Sequence, residues 1–388
     1  MRSLTWDAVF ARRLARQHLG EPVPCARLAA VISAVGGVQA QVGAAAGLAI
    51  GARVADVTQR DVRAELWERR GLVKTYSLRG TLHLHPADEM PLWTAARRAL
   101  PDWREGRWQA AYGLEPARAD AVLAAMADAL DSRCLTRAEL ADAVAQRAGS
   151  WAHERMASVW ADLIGMGFEA GLLCFGPSRG SSVTFARLDQ WIGRGEEVEP
   201  DAALAAICRR YLAAYGPATH GDFSEWFGRR RLPTEAARAL FARLGGENGE
   251  IEEVVVEGKR AWLPTGDAET SETPGLPVGG VPRLLPQYDC YILGSRFGRE
   301  RIVPEVARAR LFAYKNGRYE GAAARPLLLI DGVVAGMWER RARGKRIEIR
   351  VEPFGTLTAG QRDLLDAEAT RVGEFLEAKT VLTLGTLG

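Results

Sequence analysis

The sequence predicts a mixed α+β fold, made of three tandem winged helix-turn-helix units and a small β-rich, barrel-like C-terminal domain. The chain has 388 residues, which exceeds one ordinary hydrophobic core. Helical periodicity followed by two strand-like runs around a turn recurs three times. Strand-like runs then dominate beyond a linker rich in Gly, Pro, Ser and Thr. We therefore place the three winged units at 1–115, 116–198 and 199–270, and the C-terminal domain at 283–388.

The first unit opens with a helix for which Thr5 is the expected N-cap. A second helix is predicted over 57–67, because Val62 and Leu66 have helical spacing, and Gly71 ends it. Two strands are then predicted over 72–77 and 81–85, around the turn that contains Arg79. Helices followed by such a hairpin are typical of a winged helix.

The second and third units repeat this order of elements. Thr136 and Glu139 form a capping-box pattern, a helix is predicted through 159–164, and a hairpin spans 171–186. In the third unit, helices at 222–227 and 234–241 precede a hairpin over 252–263. Winged helices present their second helix and their wing to duplex DNA. They also pack against each other as scaffolds, so we expect at least one copy to be purely structural.

The C-terminal domain is predicted to contain strands at 284–286, 326–338 and 346–351, closed by a helix over 360–376. Asp331-Gly332 within the second run is a hairpin turn signature.

Composition excludes several classes of protein. No apolar run approaches the roughly 20 residues that span a bilayer, and the N-terminus lacks an apolar signal region. The five cysteines are scattered singly, without disulfide or zinc spacing. His83 and His85 share one strand face, but no third ligand accompanies them, so packing or phosphate contact is favoured over metal binding. We expect a cytoplasmic protein with no membrane contact, no cofactor and no metal.

Clusters of basic residues indicate contact with a polyanion, although the net charge is only +3. Arg229-Arg230-Arg231 is one cluster, and the other spans 340–346. Within the second cluster, Arg343, Lys345 and Arg346 lie next to Gly344 at the tip of a predicted hairpin. The tip would enter a DNA groove. Arg79, at the turn of the first wing, would contact the DNA backbone. Each of these basic segments is equally consistent with a solvated surface.

The most informative motif is Gln39-Ala40-Gln41, which follows the glycine pair Gly36-Gly37. Residues i and i+2 point in opposite directions on a helix but to the same side of an extended segment. The spacing therefore predicts two neutral amides aimed at one site, where they would hold water or a polar ligand. The alternative is two loop glutamines that cap backbone groups.

The chain resembles the winged-helix DNA glycosylases of the AlkZ/YcaQ type. The resemblance covers nearly the whole chain and rests on motifs at 16–19, 35–41, 77–86 and 285–289. In that family a glutamine, an apolar residue, and then glutamine or aspartate mark the active site, which implies catalytic roles for Gln39 and Gln41. The family implies a bacterial enzyme that excises N-alkylated purines. Its AlkZ branch unhooks interstrand crosslinks made by azinomycin-type alkylators, as self-resistance in a producing organism.

The residues fit this chemistry independently. A purine alkylated at N7 or N3 is cationic and leaves readily, so neutral amides that orient water suffice. Since a glutamine amide takes up no proton near pH 7, uracil and other neutral bases should be poor substrates. Lys74 is the one lysine of the first unit and is expected to be solvated. We therefore expect a monofunctional enzyme without lyase activity, acting as a monomer on double-stranded DNA.

A crosslinked base stays joined to the other strand, so an open groove is expected in place of a deep flipping pocket. An ordinary flipping pocket for methyl adducts is the alternative. Two rival functions use the same fold. A non-catalytic winged-helix regulator would normally dimerise, and the sequence has no heptad stripe. A protein-binding scaffold would bind no DNA.

Overall fold

The structure is a computed structural model, which describes residues 2–99, 113–158, 162–193, 195–228, 231–246, 249–267, 280–312, 323–344 and 346–387. The chain forms two compact units. We call residues 1–62 with 208–388 the outer unit, and residues 63–207 the middle unit.

The N-terminal part of the outer unit alternates short strands and helices. Thr5 caps the first helix, because its hydroxyl accepts a hydrogen bond from Ala8 N at 3.2 Å, as predicted. Val23 and Val54 pair in a short parallel sheet. The elements are β1 (Arg2–Leu4), α1 (Trp6–Arg16), β2 (Val23–Pro24), α2 (Leu28–Ala34), β3 (Val38–Gln39), α3 (Gly43–Gly51), β4 (Val54–Ala55) and α4 (Gln59–Trp67), which crosses into the middle unit.

The middle unit contains two hairpins and the helices between them. Its elements are β5 (Leu72–Tyr76), β6 (Leu82–Pro86), α5 (Met90–Arg98), α6 (Pro116–Ala129), β7 (Leu135–Thr136), α7 (Arg137–Ala148), α8 (Trp151–Ala157), α9 (Asp162–Glu169), β8 (Leu173–Arg179), β9 (Ser182–Arg187) and α10 (Leu188–Ile192). The predicted β5–β6 and β8–β9 hairpins are both antiparallel, and Thr136 and Glu139 form the predicted capping box. The helix predicted through 159–164 is described only from Asp162 onward.

The chain returns to the outer unit through α11 (Pro200–Tyr215), followed by α12 (His220–Phe227) and α13 (Thr234–Gly245). The predicted hairpin is present as β10 (Ile251–Val256) and β11 (Lys259–Pro264). β1 joins this hairpin in parallel, with Ser3 opposite Val255, a pairing between distant segments that sequence periodicity does not reveal. The rings of Tyr211, Phe223 and Trp226 pack against one another in the core of the outer unit.

The C-terminal part of the outer unit contains a five-stranded sheet whose strands are neighbours in chain order. Its elements are β12 (Pro282–Leu285), α14 (Cys290–Gly294), α15 (Arg299–Ile302), α16 (Glu305–Phe312), β13 (Leu327–Ile330), β14 (Val333–Arg343), β15 (Arg346–Pro353), α17 (Ala359–Phe375) and β16 (Lys379–Leu384). Over the described strands the sheet is open, with β12 and β16 as its edges, so it corresponds to half a barrel. β16 was not predicted.

The boundaries of the two compact units do not coincide with the boundaries of the four predicted segments. One boundary falls between Val62 and Arg63, inside the first predicted winged unit, and the other falls between Ile207 and Cys208, inside the third. Helices followed by an antiparallel hairpin occur in each of the three segments. The division into three winged helices stays a prediction. Within the described ranges, no helix is long and apolar enough to cross a membrane.

Candidate functional site

The two glutamines lie on the segment that joins α2 to α3 in the outer unit. Gly36 and Gly37 follow α2 with φ values of 68° and 100°, a region of backbone conformation that glycine adopts without steric cost. Gln39 ends β3 and is 9% exposed. Gln41 is exposed and lies in a bend just before α3. The extended backbone predicted from the spacing therefore holds at Gln39 and ends before Gln41.

One hydrogen bond fixes the backbone where this segment begins. The Tyr215 hydroxyl donates to the carbonyl oxygen of Val35 at 2.7 Å, and both residues are buried. The rings of Tyr211 and Trp226 hold Tyr215, at centroid distances of 5.4 and 5.9 Å. Leaving a buried polar group without its partner costs about 1–3 kcal/mol, so this bond favours a single backbone position ahead of Gln39.

Helix α3, which follows Gln41, is held close to the C-terminal helix α17 by two glycines. A Cβ added at Gly47 would lie 2.9 Å from Phe375 Cζ, and one at Gly51 would lie 2.7 Å from Phe375 Cδ2. Residues four apart lie on the same face of a helix. The two glycines therefore form a flat face on which the Phe375 ring packs, and larger side chains there would push α3 away.

A buried ion pair fixes the other end of α3. Arg53 donates from its two terminal nitrogens to the two carboxylate oxygens of Asp289, at 2.8 and 2.7 Å. Both side chains are fully buried. Arg53 also donates to the Ala49 carbonyl oxygen at 2.8 Å, within the last turn of α3. Asp289 further accepts from Tyr291 N at 2.8 Å, as the N-cap of α14.

The electrostatics of this pair follow from its geometry. Burial by itself lowers the pKa of Arg53, but the charge and hydrogen bonds of Asp289 outweigh burial and raise that pKa above its ordinary value. The guanidinium therefore stays charged. A bidentate arginine–carboxylate pair also has a fixed planar geometry. Arg53 and Asp289 consequently join α3 to α14 rigidly inside the outer unit.

The basic tip predicted at 343–346 is the turn of the long β14–β15 hairpin. Arg343 pairs with Arg346 in register, and Gly344 has a φ of 60° in the turn between them. Arg346 is exposed. Lower on the hairpin, Arg341 forms an ion pair with Glu339 at 3.0 Å. The predicted hairpin is therefore present, and the contact of its basic tip with DNA stays a prediction.

In the middle unit, Arg79, His83 and His85 belong to the β5–β6 hairpin. His85 Nε2 lies 2.8 Å from the Ser77 hydroxyl, and His83 Nδ1 lies 3.0 Å from the Thr81 carbonyl oxygen. Arg79 approaches His83 Nε2 at 3.4 Å. His83 and His85 are 2% and 0% exposed. Both rings are therefore packed inside the hairpin, and a contact of either ring with a phosphate group stays a prediction.

The protonation of His83 agrees with this internal position. Burial lowers the pKa of the His83 imidazole well below its ordinary value, and the charges of Arg79 and His85 lower it further. A neutral ring hydrogen-bonded to its own hairpin holds the turn in place. It offers no charge to a phosphate group. Arg79, which is only partly buried, is the residue of this cluster that can meet a polyanion.

The remaining predicted contacts are only partly described. Arg229, Arg230 and Lys345 lie outside the described residues. Arg231 is partly buried, and its backbone N–H donates a hydrogen bond to the Gly228 carbonyl oxygen at 2.7 Å. In the part of the chain that the structure describes, no three His, Cys, Asp or Glu residues are grouped to hold a metal ion.

Sequence reasoning missed the residues that hold the glutamine segment. The repeat of glycine every fourth position from Gly43 to Gly51 was a usable signal, since it predicts a flat helix face. The partner residues Tyr215, Asp289 and Phe375 lie far away in the chain. No local pattern pairs them with α3.

A family model described as DNA glycosylase AlkZ-like matches residues 32–375. An interstrand DNA cross-link repair glycosylase of Streptomyces sahachiroi is 33% identical over 338 residues, which cover 86% of this chain and 88% of that protein. The solved structure of Streptomyces sahachiroi DNA glycosylase AlkZ matches with a TM-score of 0.83 and 29% identity, over 99% of this chain and 100% of that one. The chain belongs to the AlkZ-like family of DNA glycosylases.

Proposed function

We propose that the protein is a monofunctional DNA glycosylase that hydrolyses the N-glycosidic bond of cationic N-alkylated purines, with N7-alkylguanine and N3-alkyladenine as its substrates. The observation that carries the proposal is the glutamine segment itself. A mostly buried Gln39 and an exposed Gln41 stand on a backbone held by Tyr215 and followed by the anchored helix α3. Preorganised dipoles of this kind stabilise charge without ionising.

The proposed reaction needs no acid. Water attacks C1′ of the deoxyribose, the C1′–N bond breaks, and its electron pair neutralises the positive charge of the purine. The attacking water loses one proton to solvent, and an abasic sugar remains. The sugar passes through an oxocarbenium-like state. Gln39 and Gln41 orient the water and turn their carbonyl dipoles toward that cationic sugar, which is a task for neutral amides.

The three helix–hairpin segments serve as winged helices in this proposal. Arg79 on the first wing and Arg231, Arg343 and Arg346 in the outer unit contact DNA phosphates, as do the predicted Arg229, Arg230 and Lys345. His83 contributes indirectly, since it contacts Arg79 and Thr81 in the turn, and His85 does so through the Ser77 hydroxyl just before that turn. The protein acts as a monomer. By analogy with the Streptomyces sahachiroi cross-link repair glycosylase, interstrand crosslinks are further substrates.

The test compares two lesions in otherwise identical duplexes. The protein should release N7-methylguanine, leaving alkali-sensitive sites, and should release uracil at least about 100-fold more slowly, because the neutral base needs general-acid help that amides do not supply. Cleavage after alkali treatment is measured on denaturing gels in single-turnover conditions. DNA binding without any base release would support a regulator. Equal release of both bases would rule out selectivity for cationic purines.

A second test concerns the nucleophile. Lys74 is half-buried, its Nζ lies 5.3 Å from the centre of the Phe175 ring, and burial lowers the pKa of its amine. An amine with a lowered pKa can attack C1′, but this one faces an aromatic ring of its own unit. Borohydride should therefore trap no covalent protein–DNA adduct, and Lys74→Ala should release N7-methylguanine at the parental rate. A trapped adduct that disappears in Lys74→Ala would show that the enzyme is bifunctional.

A further inference from the structure

A cavity of about 320 Å³ opens within the outer unit, directly beside the glutamine motif. Val42, the residue after Gln41, forms part of its wall, and so do Ala44, Ala45 and Leu48 of α3. Consecutive Cα atoms are 3.8 Å apart. The cavity wall therefore begins one residue after Gln41.

The wall of the cavity is mainly apolar. Opposite α3 it is formed by Pro286, Pro326, Met337 and Trp338, from the segments around β12, β13 and β14. Met337 and Trp338 are buried to 5% and 2% exposure. Apolar walls with a few polar groups at the mouth are typical of sites for small organic groups, and such sites measure about 300–1,000 Å³. A methyl group would leave most of this volume empty.

The cavity is also preformed. The Trp338 indole N–H donates to the Leu285 carbonyl oxygen at 2.8 Å, which fixes the ring on the wall. Pro286 and Pro326 restrict the backbone of the two segments beside it. On the opposite side, the contact of Gly47 and Gly51 with Phe375 holds α3 in place. An occupant would therefore lose little free energy in organising the site.

Charged groups stand around the apolar wall. Arg325, Arg340 and Glu339 contribute to the lining. Guanidinium groups interact favourably with the faces of aromatic rings and with phosphate oxygens. A nucleotide in DNA that carries an aromatic group offers both an aromatic face and phosphate oxygens. Its ring would lie against the cavity wall, and the phosphates of the DNA backbone would lie outside the cavity.

We propose that this cavity is a subsite for the substituent of the damaged base. It takes the apolar, planar part of a bulky N7- or N3-alkyl group, while Gln39 and Gln41 act at the glycosidic bond of the same nucleotide. The inference rests on the proposed function and makes it more specific, because it names purines with aromatic alkyl groups as the preferred substrates over methylated purines.

The experiment uses duplexes that carry either N7-benzylguanine or N7-methylguanine at one position. Excision is measured at subsaturating protein in single-turnover conditions, and each rate is divided by the spontaneous release rate of that base. Apolar groups that fill a pocket change specificity by at least about tenfold, so the parental protein should favour the benzyl lesion by that factor. Ala44→Leu, and as a second variant Ala44→Met, should fill the cavity and bring the ratio to about one.

A matched control is available on α17, where Ala367 is exposed and does not line the cavity. Ala367→Leu should leave the benzyl-to-methyl ratio at the parental value. An equal rate for both lesions in the parental protein, or an unchanged ratio in both Ala44 variants, would overturn the subsite while leaving the proposed function intact. Failure of the parental protein to release either base would overturn the proposed function.

Discussion

Replacing Gln39 or Gln41 with alanine should slow the release of N7-methylguanine by about 100- to 1,000-fold, which corresponds to the loss of one preorganised dipole at a developing charge. The loss of rate in the double variant should be less than the product of the two single losses, because groups that act on one water and one sugar are not additive. Duplex affinity should stay at the parental value, since neutral amides contribute little to a phosphate-dominated interface. Single-turnover excision and gel-shift titration measure the two quantities.

Gln59→Ala is the matched control for these variants. Gln59 is an exposed glutamine at the start of α4 in the outer unit, and its replacement removes the same chemical group from a position outside the motif. It should excise N7-methylguanine at the parental rate. If the double variant of Gln39 and Gln41 also kept that rate, the two amides would have no part in the chemistry.

The sequence predicted the local elements well. The hairpins at 72–86, 173–187 and 251–264 were visible because two strand-like runs around a turn are contiguous in the chain. The caps at Thr5 and Thr136 were visible for the same reason, since a cap depends on residues only three positions apart. A single sequence therefore predicts the hairpins and caps whose hydrogen bonds join residues that are close together in the chain.

Pairings between distant segments were not predictable. The parallel contact of β1 with β10 and the edge strand β16 depend on partners that no local periodicity marks. The same holds at the candidate site. The motif singles out Gln39 and Gln41, whose catalytic roles stay a prediction. The residues that hold their segment, Tyr215 and the Arg53–Asp289 pair, lie on other segments. For His83 and His85 the sequence left packing and phosphate contact open, because alternation on a strand does not reveal that both faces of that strand are buried.

The largest expected effect on stability comes from Asp289→Asn. This substitution keeps an oxygen that can accept from Tyr291 N, yet it removes the charge that faces Arg53. An uncompensated guanidinium would remain in a fully buried position. Breaking a buried ion pair on one side costs about 3–5 kcal/mol, so the midpoint of urea unfolding should fall sharply. Arg53→Met should have a similar effect, because it leaves the carboxylate buried without its partner.

A double variant tests whether the effects of the two residues on stability depend on each other. In Arg53→Met with Asp289→Asn neither charge remains, so the loss of stability should be clearly smaller than the sum of the two single losses. The exposed pair of Arg60 and Glu377, with side chains 80% and 41% exposed, provides the comparison. Glu377→Gln should change the unfolding midpoint by only a small fraction of the change in Asp289→Asn, because solvent screens exposed charges.

This pair also connects stability to activity. Arg53 holds the last turn of α3, and α3 begins two residues after Gln41, so weakening the pair should loosen the segment that carries both amides. The double variant should therefore regain stability without regaining the full excision rate, since a methionine side chain in place of Arg53 donates no hydrogen bond to the Ala49 carbonyl oxygen or to α14. Excision measured well below the unfolding midpoint tests this. Parental excision in the double variant would show that α3 needs no ionic anchor to position the glutamines.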